Sequence, residues 1–244
     1  MCLEVQAGKH RVILDAGTGI QQLGWALRRS NIRQTDILLS HFHMDHLMGL
    51  MTFAPLFQQG ATVTLHAPIL EEGDPVPHLH RIIDTPFFPL KRGETGASFV
   101  IKSFHPGDDL LLPGFAIQTT ELSHPGGACG YRINHREQSV TVIADHEHAS
   151  RDPGSKLADF CAGSDMILYD AHWDESVDYD AHQGWGHSTW QAGLRLLQAS
   201  GAAKLGCVHH APWATDQTLG EREAALQLQH PASFFAREGQ SLEL

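Results

Sequence analysis

The sequence predicts a layered α/β fold in a single domain spanning residues 1–244. Three observations carry this. Short apolar or alternating runs recur between glycine- and proline-containing breaks, as strands do. Their order is strands first, one helix, more strands, then alternating strands and helices, twice over, which suits sheets covered by helices. Hydrophobic residues make up 42% and charged residues 18% of 244, enough for a substantial core. No low-complexity linker or short repeat divides the chain.

Taken in order, Leu3 to Val5 and Arg11 to Leu14 read as two strands around a Gly8-Lys9 turn, and Gly17-Thr18-Gly19 leads into a helix over Ile20 to Arg29. Ile37-Leu38-Leu39 is a continuous apolar run, as in a strand buried on both faces. Leu47 to Phe57 reads as helical and Ala61 to Leu65 as a strand. Residues 70–92 contain Pro75, Pro77, Pro86 and Pro89 beside Phe87-Phe88, a poor place for regular structure and a reasonable lid or pocket rim. Strands are expected at Ser98 to Ser103, Phe115 to Glu121, Gly130 to Ile133 and Val140 to Ala144. A helix near Ser155 to Phe160 and a buried strand Met166 to Tyr169 follow. Next come a helix over Ser188 to Ala199 with Ser188 as its N-cap, a core strand Leu205 to Val208 and a closing helix Glu221 to Gln229.

Lys plus Arg total 17 against 28 for Asp plus Glu, a net charge of −11. That argues against a large nucleic-acid surface, which needs a basic face. A small anionic substrate is still accommodated, because bound metal reverses the local sign. Cys2, Cys129, Cys161 and Cys207 are scattered, form no C-x-x-C pair, and read as reduced core thiols. No apolar run approaches the roughly 18–20 residues that span a bilayer, so no membrane association is expected and a cytoplasmic location is the default reading.

Histidine, at 18 residues, is the unusual total. His41-Phe42-His43-Met44-Asp45-His46 follows a strand. Alternate residues of an extended segment share a face, so His41 and His43 converge on one cation while the following turn aims Asp45 and His46 at a second position. Imidazole with carboxylate and no thiolate suits zinc, manganese or iron. Further ligands are expected at later strand ends. His124 precedes Pro125-Gly126-Gly127, Asp145 ends one strand and His209 another, and a carboxylate in Asp145's position can bridge two cations. The strand register favours His209 over His210. His146 and His148 should point away, and His78, His80, His105, His172 and His182 read as ordinary exposed histidines.

H-x-H-x-D-H, a lone His, an Asp after a strand and a His after the last core strand together resemble the metallo-β-lactamase superfamily, across nearly the whole chain. The resemblance implies a four-layer αβ/βα sandwich. Met1 to Val5 already resembles the second strand of that fold, so its first strand is missing from this sequence or the natural start lies elsewhere. It implies His41, His43 and His124 on one divalent metal, Asp45, His46 and His209 on another, Asp145 bridging them, and Asp15 supporting a ligand. His124-Pro125-Gly126-Gly127, Tyr169-Asp170-Ala171 and Gly184-Trp185-Gly186-His187-Ser188-Thr189-Trp190 are similar to segments of the phosphodiesterase branch, related to the tRNA 3′-end-processing ribonucleases. Only 20 residues separate His124 from Asp145, too few for the tRNA-gripping arm of those enzymes. Ala211 stands where relatives often carry an acidic residue.

The implied activity is hydrolysis of a small phosphodiester or cyclic nucleotide by a hydroxide generated between two divalent ions, zinc first, manganese or iron otherwise. His187, held by Asp170, is the implied proton donor to the leaving alkoxide. Alternatives are a lactone, thioester or β-lactam hydrolase on the same scaffold, or a metal-binding protein without turnover. Arg132 is read as a phosphate ligand or a strand-surface salt bridge, and Phe87-Phe88 as a stacking surface or lid packing. By analogy with relatives, a homodimer is the expected assembly.

Overall fold

In the computed structural model, which describes residues 1–91, 93–149 and 154–244, the chain divides into two units, Met1–Pro106 and Gly107–Leu244. The first is built on a five-stranded sheet of β1 (Leu3–Ala7), β2 (His10–Leu14), β3 (Gln34–Leu38), β4 (Thr62–Pro68) and β5 (Ser98–Phe104), in that spatial order. β1 and β2 form a hairpin with Leu3 opposite Leu14, while β2 to β5 run parallel. Gly8 supplies the positive φ (60°) that the two-residue turn needs. Helix α1 (Ile20–Arg29) buries Ile20, Gly24 and Leu27, spaced to share one face. Its Arg28 and Arg29 lie in the last turn, where cations complement the helix dipole.

Two expectations for this unit change. Leu47 to Phe57 is not one α-helix. It forms short 3-10 turns, Met48–Thr52 and Ala54–Phe57, following another at Met44–His46. Tertiary contact overrides helical propensity here. Gly49 donates its N–H to Ala16 O at 2.8 Å, and a Cβ there would collide with Gly17 O and Ile20. The Pro-rich segment does contain regular structure, helix α2 (Pro75–Ile82). Asp74 caps it by accepting the Val76 N–H at 3.1 Å, and Pro75 sits in the first turn, where a missing N–H costs nothing. Phe88 is buried with its ring centroid 5.9 Å from that of Phe57, which is lid-like packing, whereas Phe87 is exposed. Arg92, the last residue of the 70–92 segment, lies outside the described residues.

The second unit carries a seven-stranded sheet: β6 (Leu110–Leu112), β7 (Phe115–Leu122), β8 (Ala128–His135), β9 (Gln138–Ile143), β10 (Met166–Asp170), β11 (Leu205–Val208) and β12 (Phe234–Phe235). β6 to β9 are antiparallel and β9 to β12 parallel. α3 (Ser155–Phe160), α4 (Trp190–Ser200) and α5 (Asp216–Gln229) complete it. Its core includes Ile143, Ile167, Leu194, Leu197 and Leu226. Ser188 is not the N-cap of α4. Thr189 is, its hydroxyl accepting the Ala192 N–H at 3.1 Å, because the Ser188 hydroxyl is turned inward to His148 (2.7 Å) and Tyr169 (2.9 Å).

Arg132 takes neither role the sequence offered. Its guanidinium donates to Phe160 O (3.1 Å) and Ala162 O (2.7 Å), closing the carbonyl end of α3. All four cysteines are free thiols, and burial pushes Cys161 up to about 12, so it stays protonated. Among the described residues, no helix is long and apolar enough to cross a membrane.

Candidate functional site

Strand ends place the chemistry in each unit. In the first, Asp15 follows β2 and His41 to His46 follow β3, and the parallel pairing of those strands brings the two segments side by side, with Asp15 N donating to Leu38 O at 2.8 Å. The buried Asp15 carboxylate accepts three donors: the Ser40 N–H (2.7 Å), the Ser40 hydroxyl (2.9 Å) and His46 Nδ1–H (2.8 Å). Since Ser40 spends its one hydroxyl hydrogen on Asp15, its oxygen is an acceptor for His41 Nδ1–H at 3.0 Å. One carboxylate therefore fixes the tautomer of two histidines, leaving Nε2 as the lone-pair nitrogen in each. His41 is ringed by His43 and His46, at centroid distances of 4.5 and 4.3 Å, and Asp45 Oδ2 lies 3.1 Å from His46 Nε2. All four residues of the sequence motif are brought together.

In the second unit, Asp145, Asp170 and His209 sit at the carboxyl ends of β9, β10 and β11. With His187 they place one donor atom each within 4.8 Å of one another. His187 Nδ1 donates to Asp170 Oδ2 at 2.9 Å and lies 3.5 Å from Asp145 Oδ1, and His209 Nδ1 is 3.7 Å from that same Oδ1. His124 presents its ring 5.5 Å from that of His187 and donates Nδ1–H to Gly186 O at 2.8 Å. That again leaves Nε2 as its lone-pair nitrogen. His210 turns away, stacking on Phe235 and bonding to Ala236 O.

Backbone conformation marks the same positions. Only five non-glycine residues among those described have positive φ, and Asp15 (59°), Asp145 (54°) and His209 (56°) are three of them. Such strain concentrates at functional sites. The donor set of both clusters, imidazole and carboxylate with tautomers fixed from behind, fits divalent cations of the zinc type.

Three participants were not legible in the sequence as read. His172, taken for an exposed histidine, is buried and stacks on His187 at 4.3 Å and 15°. Burial, and then the neighbouring His187, push it down to about 4, so its ring is neutral near pH 7. Its place two residues after the strand-end Asp170 is the signal that would have found it. Glu147 clamps the N–H groups of Gly184 (2.6 Å) and Gly186 (2.8 Å), fixing the carbonyl that orients His124. Ser40 is the third. His146 and His148 are structural, as expected: His146 Nδ1 accepts the Ser123 N–H, and His148 stacks on Tyr179.

Comparison with known proteins places this arrangement. The family model described as the beta-lactamase superfamily domain matches residues 10–210. A ribonuclease Z of Thermoplasma volcanium is 21% identical over 247 aligned positions, covering 84% of this chain and 79% of that protein. Among solved structures, the metallo-beta-lactamase fold protein YhfI of Bacillus subtilis superposes with a TM-score of 0.71 at 16% identity, covering 97% of this chain and 88% of its own. A diphosphatase of the PhnP family gives 0.69 at 20%, covering 99% and 83%. The strand-end histidines and aspartates thus sit on the fold that these neighbours share, and the chain belongs to the metallo-β-lactamase superfamily.

Proposed function

We propose that this protein is a metal-dependent hydrolase that cleaves a small phosphodiester, such as a cyclic nucleotide or a short diester. The observation that carries the reading is the buried Asp170 holding His187 beside Asp145 and His209. The thiolate of a thioester leaves without a proton, whereas the alkoxide of a phosphodiester, like that of a lactone, needs one, so the pair disfavours a thioester and direct assay separates the other two.

On this reading His41, His43, Asp45, His46, His124, Asp145 and His209 hold two divalent cations, zinc by the chemistry of their donors. Bound there, the metals supply Lewis acidity toward phosphoryl oxygen and a water of lowered pKa. The chain supplies the rest. Asp170 accepts Nδ1–H of His187, stabilises the imidazolium and directs Nε2 as the proton-donating atom. His172, stacked on one face of His187, keeps that ring from turning and covers it from water. The net charge of −11 supports a small substrate over a long polyanion.

Metal-loaded protein assayed on bis(p-nitrophenyl) phosphate, beside a lactone and a thioester panel, tests this. Diester cleavage that is lost in His187→Ala with metal retained supports it. Lactone or thioester turnover without diester cleavage overturns it.

A further inference from the structure

The second unit carries an exposed aromatic surface that the chemistry above does not use. Trp213 and Trp185 are 64% and 58% exposed, unusual for the largest side chain and a mark of binding surface when such residues cluster. Both pack on Trp173, which is buried beneath them, at 5.7 and 6.2 Å. His182 stacks flat on Trp173 at 3.9 Å and 13° and meets Trp185 edge-on at 4.9 Å. Trp213 meets His172 edge-on at 5.8 Å, and His172 is the ring stacked on His187. The indoles and the proton-donating histidine therefore belong to one unbroken chain of ring contacts. The Trp173 Nε1 is buried and meets no acceptor among the described residues, a cost to stability at the floor of this surface.

Charge narrows the occupant. Residues 171–187 and 209–215, which form the surface, contain Asp174, Glu175, Asp178 and Asp180 but no Lys or Arg. The cations beside them are already engaged, Arg222 with Asp174 and Asp178 and Arg195 with Glu175, so the surface offers a polynucleotide backbone little free positive charge. A single uncharged planar ring is not.

We propose that Trp213 and Trp185 form the leaving-group subsite and hold a nucleobase or comparable flat aromatic ring of the substrate. The inference rests on the phosphodiesterase reading for the identity of the leaving group, since His187 would deliver its proton there. It does not rest on that reading for the stacking itself. It also places ring recognition on Trp213 and Trp185 rather than on Phe87-Phe88.

Calorimetric titration of zinc-loaded protein with adenosine 5′-monophosphate, adenosine and inorganic phosphate separates the two ideas. Stacking of one base on aromatic side chains is worth a loss of about 5- to 150-fold when the aromatic is removed. Trp213→Ala should weaken adenosine 5′-monophosphate and adenosine by that factor, leave phosphate unchanged, and be rescued in part by Trp213→Phe. Adenosine binding that obeys this pattern in a protein inactive on diesters would keep the subsite and sink the phosphodiesterase reading. Equal affinity of wild type and Trp213→Ala for adenosine, equal losses for phosphate and nucleotide, or tighter binding of an oligonucleotide than of the mononucleotide would each overturn the subsite.

Discussion

Asp15→Asn is the substitution whose effect the geometry fixes most closely. The carboxylate collects hydrogen bonds from Ser40 N, Ser40 Oγ and His46 Nδ1 at 2.7, 2.9 and 2.8 Å, in a fully buried setting. Asparagine is among the residues that tolerate the left-handed backbone (φ 59°) of this position, so shape and backbone are kept. Its single oxygen cannot serve three donors, and its amide must face one of them. Hydrogen bonds to charged groups contribute about 1.5–3 kcal/mol each, so losing one or two costs the metal-free protein about 2–5 kcal/mol. The consequence for metal is separate. Without its carboxylate acceptor, His46 is free to move its proton to Nε2, the nitrogen that the proposed ligation uses, and loss of such a supporting partner typically costs about 10- to 100-fold in metal affinity. Chelator competition with zinc reads the second effect and chemical denaturation of stripped protein the first. Asp15→Asn that holds zinc as wild type does would refute the claim that Asp15 sets the ligand tautomers.

Other outcomes follow from the same contacts. His187→Ala and Asp170→Asn should each lower kcat on a phosphodiester, His187→Ala by about 10²- to 10⁴-fold, with metal content by elemental analysis unchanged. Gly186→Ala should reduce metal retention, because its φ is 84° and a Cβ there would collide with the His124 ring. Arg132→Met should lower stability by about 1–3 kcal/mol through the uncapped carbonyls of α3, leaving kinetics intact, and a change confined to KM would contradict that assignment. Burial holds His148 below its ordinary value of 6.5. A depressed histidine is neutral when folded, so the stability it allows is full above pH 6.5 and is lost as pH falls through its folded value. Acid titration of metal-free His148→Gln should therefore show a shallower loss of stability below pH 6.5 than wild type.

Much of the fold was legible because its signals are local. α1 and α3 occupy the residues their patterns indicated, and β11 does too, since apolar runs and glycine breaks specify these without help from distant residues. What escaped depends on tertiary contact. The 3-10 turns after His46 exist because Gly49 is pulled against Ala16, and β6 and β12 are three and two residues long, stabilised only by their neighbours. The Pro-rich segment misled because proline marks a helix's first turn as readily as its absence. At the candidate site, the H-x-H-x-D-H motif is contiguous and visible. His172 stands two residues after the strand-end Asp170, but its stacking on His187 is tertiary, and Glu147 holds the carbonyl behind His124 through the N–H groups of Gly184 and Gly186, which no spacing along the chain encodes.

Zinc titration of chelator-stripped protein, with phosphodiester hydrolysis followed at each addition, tests the central claim most directly. Two-metal hydrolysis entails no turnover without metal, activity that saturates at two equivalents per chain, and loss of the second equivalent in His209→Ala. Diester hydrolysis that persists in stripped protein, or zinc binding to two equivalents with no hydrolysis of any diester, would contradict it.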